Sequence, residues 1–202
     1  MLYSDIPMLT QLRWGLPQNL RVPAATLIYD TFRRKLKYSL GPRQKGIRFI
    51  THSLRGEYAL VALQGEKLVG LAGVKNSRGE LIEIQFGLWL RTYHFHTFRS
   101  FLVGFPFWYE RLKPSVLKLT NLCVNESVRE QGLGTSMIQE FIRYGKDKGY
   151  QVLKLEVINS NIRAKALYER LGFEITRYTK IPFPWSHLYG FTGIYEMSYP
   201  LV

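Results

Sequence analysis

Apolar residues recur along this chain at two different periods, and the switches between them predict a mixed α/β fold. A short run near Leu9–Trp14, stopped by Gly15 and Pro17, predicts a first strand. Ala25, Ile28, Phe32 and Leu36 then follow at helical spacing as far as Gly41-Pro42, and a second helix is expected from Pro42 to about Leu54. Tyr58–Leu63 and Leu68–Val74 flank Gln64-Gly65-Glu66 as the arms of a hairpin, and residues 76–80 (NSRGE) read as a loop. After Pro114, VLKLTNLCV predicts a strand. Gly132 then opens a helix with Leu133, Met137, Ile138, Phe141 and Ile142 on one side, closed by Gly149. VLKLEV predicts a further strand, Asn161–Leu171 a short helix ended by Gly172, and Phe173–Tyr178 and Ile194–Tyr199 the last strands. Strand–helix–strand order after residue 115 implies parallel pairing there, and the hairpin implies antiparallel pairing earlier.

One stretch breaks this rhythm. Phe86–Tyr109 holds 10 of the 29 aromatic residues in 24 positions. Phe86, Trp89, Leu90 and Tyr93 fit one helical face, and Phe98, Phe101, Leu102 and Phe105 fit another, with a slip of phase between them and Pro106 ending the second piece. Arg91 and Arg99 interrupt it, and its longest uncharged run, Ser100–Tyr109, is far short of the roughly 20 residues of a membrane span. An apolar surface of this density signals an interaction: the insert is expected to wall a substrate site or to form a subunit contact, as in a homodimer, with core packing as the alternative.

Composition narrows the class. The 202 residues are 46% hydrophobic and 21% charged, which excludes a disordered or collagenous chain and suits one domain, 1–202, with the aromatic insert at about 84–113. Lys and Arg number 28 against 15 Asp and Glu, a formal charge of +13 that favours an acidic or polyanionic partner. Cys123 is the only cysteine, so no intramolecular disulfide forms, and His52, His94, His96 and His187 carry no metalloprotease spacing. No metal is expected. The opening MLYSDIPMLT lacks the basic and apolar regions of a signal peptide, so a cytoplasmic location is expected.

The chemistry concentrates in LCVNESVREQGLGTSM, where a strand runs through a loop into a helix whose start carries Gly132 and Gly134. Glycines let a ligand approach the backbone, the unpaired N–H groups of a helix start favour an anion, and Arg129 offers a forked donor set. The local pattern is that of a phosphate or pyrophosphate site; the competing reading is a glycine-assisted helix start with a solvated Arg.

RxxGxG at Arg129–Gly134, LEV at Leu155–Val157 and NIRAKALYERLGF at Asn161–Phe173 occur in order, and together they resemble the GNAT superfamily of N-acetyltransferases, strongly over about residues 117–178 and by element order from residue 9. The resemblance implies a mostly antiparallel sheet whose central parallel pair, the fourth and fifth strands, splays to hold CoA, with helices on both faces and the aromatic insert before the fourth strand. It implies acetyl-CoA as cosubstrate and an amine acceptor, either a small molecule or a protein N-terminus or lysine. Leu122, Cys123 and Val124 would run beside the pantetheine arm. Backbone amides of Arg129, Glu130, Gln131, Gly132, Leu133, Gly134 and Thr135 would cradle the pyrophosphate, and Asn161 matches the family's cofactor-contacting asparagine. Tyr168 matches its general acid. Glu156, twelve residues earlier, resembles the base of the ribosomal-protein N-terminal acetyltransferases. Many relatives carry a carboxylate on the strand before the loop; Thr120 and Asn121 stand there here, which makes Glu156 or a water relay the expected base.

Each residue also has a plainer reading. Tyr168 shares helical spacing with Ala164, Leu167 and Leu171 and could serve packing; Glu156 alternates with Lys154 on one strand face and could serve an ion pair; Cys123 reads as a small buried hydrophobe. From Thr31 to Gly56 eight basic residues and no acid occur, and in the family fold this stretch lines the acceptor entrance, so an acidic acceptor is expected. A basic nucleic-acid-binding module and a non-catalytic acyl-CoA-binding domain are the alternatives to an enzyme.

Overall fold

The computed structural model describes residues 10–93 and 110–201. Its strands are β1 (Thr10–Trp14), β2 (Ala59–Gln64), β3 (Lys67–Asn76), β4 (Gly79–Glu80), β5 (Val116–Val124), β6 (Val152–Ile158), β7 (Glu174–Lys180) and β8 (Gly193–Pro200). The helices are α1 (Arg21–Thr31), α2 (Arg33–Leu40), α3 (Arg43–Ser53), α4 (Phe86–Tyr93), α5 (Leu133–Asp147), α6 (Ile162–Arg170) and α7 (Trp185–Tyr189). One sheet runs β1-β2-β3-β5-β6-β8-β7, with β4 paired to the end of β3. Every described pairing is antiparallel except β5 with β6. The short β4 makes the expected fourth strand β5 in this numbering, so the parallel pair of the sequence reading is β5–β6.

Each face of the sheet carries its own core. Ala25, Ile28 and Tyr29 of α1, Phe49 and Ile50 of α3 and Trp89 and Tyr93 of α4 pack on one face with Leu71 and Cys123. Met137, Ile138 and Phe141 of α5 and Tyr168 of α6 pack on the other with Leu117, Leu119, Leu153, Leu155 and Val157. The helices therefore cover both faces, as the resemblance implies.

Three expectations are corrected. The run from Ala25 to Leu36 is two helices, because Phe32 (φ −105°, ψ 23°) leaves helical geometry. No glycine or proline marks that break; the packing of Phe32 against the α1–α3 core accompanies it. Residues 76–80 are a tight turn with Gly79 and Glu80 paired to Asn76 and Lys75 rather than an open loop. On α4, Trp89 and Tyr93 are buried but Leu90 is half exposed, so the apolar stripe is narrower than the sequence suggests. Trp89 stands edge-on to Phe49 with centroids 5.3 Å apart, which is core packing. Phe98, Phe101, Leu102 and Phe105, with His94 and His96, lie outside the described residues.

The feature that shapes the site is a bulge in β5. Gly73 pairs with Asn121 and Val74 with Leu119, so Thr120 is an extra residue in the ladder. Side-chain parity reverses across it: Leu117 and Leu119 face α5, yet Leu122 and Val124 also lie on that core while Cys123 faces α1. Gly73 stands opposite because a Cβ there would come within 2.8 Å of Thr120 Oγ1 and 2.7 Å of Leu81 Cδ2. The parallel β5–β6 register ends at Leu119↔Leu155. Beyond it β5 pairs only with β3 and β6 only with β8, so Thr120–Val124 and Glu156–Ile158 diverge as the arms of a V.

Candidate active site

The loop after the V is built by side-chain caps and left-handed residues. Asn125 accepts a hydrogen bond from the Ser127 amide at 3.1 Å and starts a single turn over Glu126–Val128. Glu130 (φ 65°) and Gly132 (φ 80°) both adopt positive φ, and Gly132 then caps α5 without a side-chain acceptor. The amides of Leu133, Gly134 and Thr135 have no acceptor one turn back, and no acid occupies the first turn, so this end of α5 presents uncompensated donors. Gly132 is explained by its own backbone. Gly134 is not: a Cβ there would meet only Leu167, at 3.9 Å, and glycine weakens a helix. Among the described residues nothing asks for glycine at 134, which leaves the approach of a ligand to the backbone as the reason open to test.

Arg129 is folded back rather than projecting from this loop. Its Nε donates to the Val124 carbonyl and its Nη1 to Glu126, each at 3.2 Å. Arg163 of α6 pairs with Glu130 at 2.6 Å, tying α6 to the loop. Asn161 Oδ1 accepts from the Ala164 amide at 3.1 Å and so caps α6, a role its place before the helix explains.

Tyr168 and Cys123 belong to the cores on opposite faces of the sheet, yet the thiol is near enough to act on the phenol electrostatically. Tyr168 is 7% exposed, and its phenol, pushed up to about 12 by burial and further by the Cys123 thiol, stays protonated at neutral pH. Its hydroxyl makes no hydrogen bond to a described residue, so its proton is not committed to one of them. The Cys123 thiol is likewise pushed up to about 12 by burial, against the opposing pull of a hydrogen bond with Thr31 and the Arg129 charge. A neutral, buried thiol is a poor nucleophile. Thr120 Oγ1, at the bulge, is buried without a hydrogen-bond partner among the described residues.

Glu156 lies on the other arm, and its partner is not Lys154, which pairs with Glu196 across β6–β8 at 2.7 Å. Lys118 of β5 reaches Glu156 at 2.7 Å and also pairs with Glu110. Burial pulls the Lys118 ammonium down, but the two carboxylates outweigh it and the net direction is up, so it remains charged. Lys35 of α2 faces the same group; burial holds it below the ordinary lysine range, partly opposed by Glu156 and reinforced by Lys118. Lys118 and Glu110 are absent from the residues picked out by sequence, and Lys35 figures there only as one member of the basic block. The signal for Lys118 was a lone cation between Leu117 and Leu119 in the middle of an apolar strand.

The basic block from Thr31 to Gly56 does not form one surface. Arg43 makes a two-pronged bond to Asp30 at 2.7 and 2.8 Å, and Arg55 pairs with Glu57 and Glu83. Arg34 lies against Gly190, where an added Cβ would collide with its guanidinium. Lys35 turns to the V, while Lys45 and Arg48 face a groove between α3 and α4. Among the described residues no group of three His, Cys, Asp or Glu is placed to hold a metal ion, and no helix is long and apolar enough to cross a membrane.

Comparison with known proteins matches this arrangement. The model of the acetyltransferase (GNAT) family aligns with residues 25–173. The chain is 42% identical over 55 residues to the ribosomal protein bS18 alanine N-acetyltransferase of Escherichia coli, 27% of this chain and 37% of that protein. It is 31% identical over 65 residues to human N-acetyltransferase 8B, 32% of this chain and 29% of that protein. The match thus spans about a third of the length of these curated relatives. The crystal structure of the ribosomal-protein-S18-alanine N-acetyltransferase from Escherichia coli superposes with a TM-score of 0.55 over 96% of this chain and 94% of that one, at 19% identity. A Bacillus subtilis acetyltransferase in complex with CoA gives 0.55 over 96% and 100%, at 15% identity. These two likenesses establish the fold, and with the family model spanning residues 25–173 the chain belongs to the acetyltransferase (GNAT) family.

Proposed function

We propose that the protein is an acetyl-CoA-dependent N-acetyltransferase that moves the acetyl group to a primary amine by direct attack within a ternary complex. The observation that carries this reading is the Tyr168 phenol at the V, without a hydrogen bond to a described residue, together with the start of α5, which has no side-chain cap and no acid in its first turn. The unpaired backbone edge of Leu122, Cys123 and Val124 would receive the pantetheine arm like an added strand. Amides from Arg129 to Thr135 would take the pyrophosphate, and Asn161, its Oδ1 committed to the cap, would contribute its Nδ2 donors. Arg129 must release Val124 to reach a phosphate.

In the reaction a neutral amine attacks the thioester carbon, the C–S bond breaks, and an amide and free CoA thiol form. The acceptor ammonium first loses a proton to Glu156 or to water. A backbone amide on the splayed arm of β5 would stabilise the negative charge that develops on the carbonyl oxygen. The Tyr168 phenol would donate to the departing sulfur. Because Lys118 holds Glu156 as an ion-paired carboxylate, transfer through a water that Glu156 orients is the better-supported route.

The local likeness to an alanine N-acetyltransferase makes peptides with N-terminal alanine the first acceptors to test. The experiment is thiol release from acetyl-CoA with such peptides and with pooled small amines, read beside calorimetric titration of CoA. Turnover above the protein-free rate supports the enzyme. CoA binding without turnover on any acceptor points to a non-catalytic acyl-CoA-binding domain, and loss of both overturns the cofactor assignment.

A further inference from the structure

A groove of about 640 Å³ runs between α3 and α4 on the sheet face opposite α5 and α6. Its walls are Gln44, Lys45, Arg48 and His52 of α3 and Arg91 and Thr92 of α4, over a floor of Phe49 and Leu88. The helical spacing explains the assembly: positions 44, 45, 48 and 52 share one side of α3, and 88, 91 and 92 share one side of α4. Among the described residues no acid lines the groove. The contrast with the rest of α3 is specific, since Arg43 and Arg55, at and just beyond its ends, are paired with carboxylates. Arg48 and Arg91 are exposed and have no acidic partner among the described residues.

Lys45 is partly engaged, its Nζ lying 4.7 Å from the Tyr93 ring centroid, and His52 Nδ1 is bonded to the Arg48 carbonyl at 2.7 Å. These contacts hold two of the four basic side chains at the walls. The remaining two are guanidinium groups on opposite walls, whose planar forks match carboxylates two-pronged. The floor is apolar but, among the described residues, offers no exposed ring: Phe49 is 2% exposed, and Trp89 and Tyr93, which pack against it, are buried too. Single-stranded nucleic acid relies on open aromatic faces for stacking, and a duplex needs a longer basic surface than two short helices provide. An extended segment with alternating acidic and aliphatic side chains satisfies both the walls and the floor.

We propose that this groove is a docking site for an acidic peptide segment of a protein partner, with Arg48 and Arg91 as its carboxylate anchors. The site uses no residue of the loop after β5 or of the V, so it is independent of the proposed chemistry. The test is fluorescence anisotropy on the full chain with a labelled, N-acetylated peptide of alternating Glu and Leu, which cannot serve as an acceptor. The Gln-for-Glu peptide and a labelled twelve-residue oligothymidylate are run beside it. Arg48→Glu with Arg91→Glu is expected to weaken the acidic peptide at least tenfold, and the milder Arg48→Gln with Arg91→Gln at least threefold. Lys67→Glu with Arg78→Glu, an equal charge change at exposed sites elsewhere, is expected to change it less than twofold. The Gln peptide is expected to bind at least tenfold more weakly than the Glu peptide. Equal losses in the groove and remote variants, absence of peptide binding, or tighter binding of the oligonucleotide that depends on Arg48 and Arg91 would each overturn the proposal.

Discussion

Lys118 and Glu156 form an ion pair of 2.7 Å that reaches from the paired part of β5 to the first residue of β6 beyond the pairing, at the point where the two strands part. The lysine is buried and shared with Glu110, whereas both carboxylates remain more than a third exposed. A cation flanked by two leucines thus holds together the base of the V, and it fixes the carboxylate that resemblance alone would assign as a free base.

Replacing Lys118 with Met should therefore act on both stability and turnover. It leaves two carboxylates near one another without their cation; partial exposure softens the penalty, so a loss of about 1–3 kcal/mol is expected in urea unfolding at pH 7. Adding Glu156→Gln should recover part of that loss. The Lys118 pKa is raised on folding, so its stabilisation is complete below the ordinary lysine pKa and is lost only as pH rises through the higher folded value. Wild type and Lys118→Met should then differ by a constant amount from pH 6 to 9 and converge in strong alkali. A difference that vanishes already at pH 8 contradicts the assignment.

Tyr168→Phe should lower kcat by about 10²–10⁴-fold while changing CoA affinity little, because it deletes the donor and keeps the ring packed. With the phenol pushed up to about 12, the wild-type rate should show no fall near pH 10 from loss of this proton. Glu156→Gln should cost less, and its effect should shrink at high pH, where the acceptor amine is already neutral. A Phe variant with full kcat on a verified acceptor would assign Tyr168 to packing alone.

Gly132→Asp should weaken acetyl-CoA at least tenfold in calorimetric titration, since it puts a negative charge where the amides of α5 would meet the pyrophosphate. Gly132→Asn separates the causes: asparagine tolerates positive φ and carries no charge, so it should bind much closer to wild type. Equal affinity in all three proteins rules out the pyrophosphate position.

Gly46→Ala tests the packing of α1 on α3. A Cβ at Gly46 would come within 2.4 Å of Tyr29 Cε2, and Tyr29 is held in place by its hydroxyl bond to the Gly41 carbonyl at 2.7 Å. Ring and helix must separate, which should cost about 1–3 kcal/mol in chemical unfolding. A neutral effect would mean that the Tyr29 ring moves aside freely.

What the sequence by itself determined is what short-range physics controls. The arms of the hairpin, β5, α5, β6 and α6 follow from side-chain period, and the ends of α5 and α6 from Gly132, Asn161 and Gly172, whose conformations depend on their own backbone. The phosphate-loop candidates were legible for the same reason, because they form one contiguous segment. Tertiary structure decided everything that depends on partners distant in the chain. β8 inserts between β6 and β7, Thr120 bulges because β3 offers one residue fewer, and Phe32 breaks a helix that its own periodicity would continue. The eight basic residues read as one block, yet α1, α2 and α3 turn them in different directions, and acids at 30, 57 and 83 claim two of them. Lys118 is the clearest case: its neighbours in sequence are leucines, and only the parallel pairing of β5 with β6 brings Glu156 within reach of its charge.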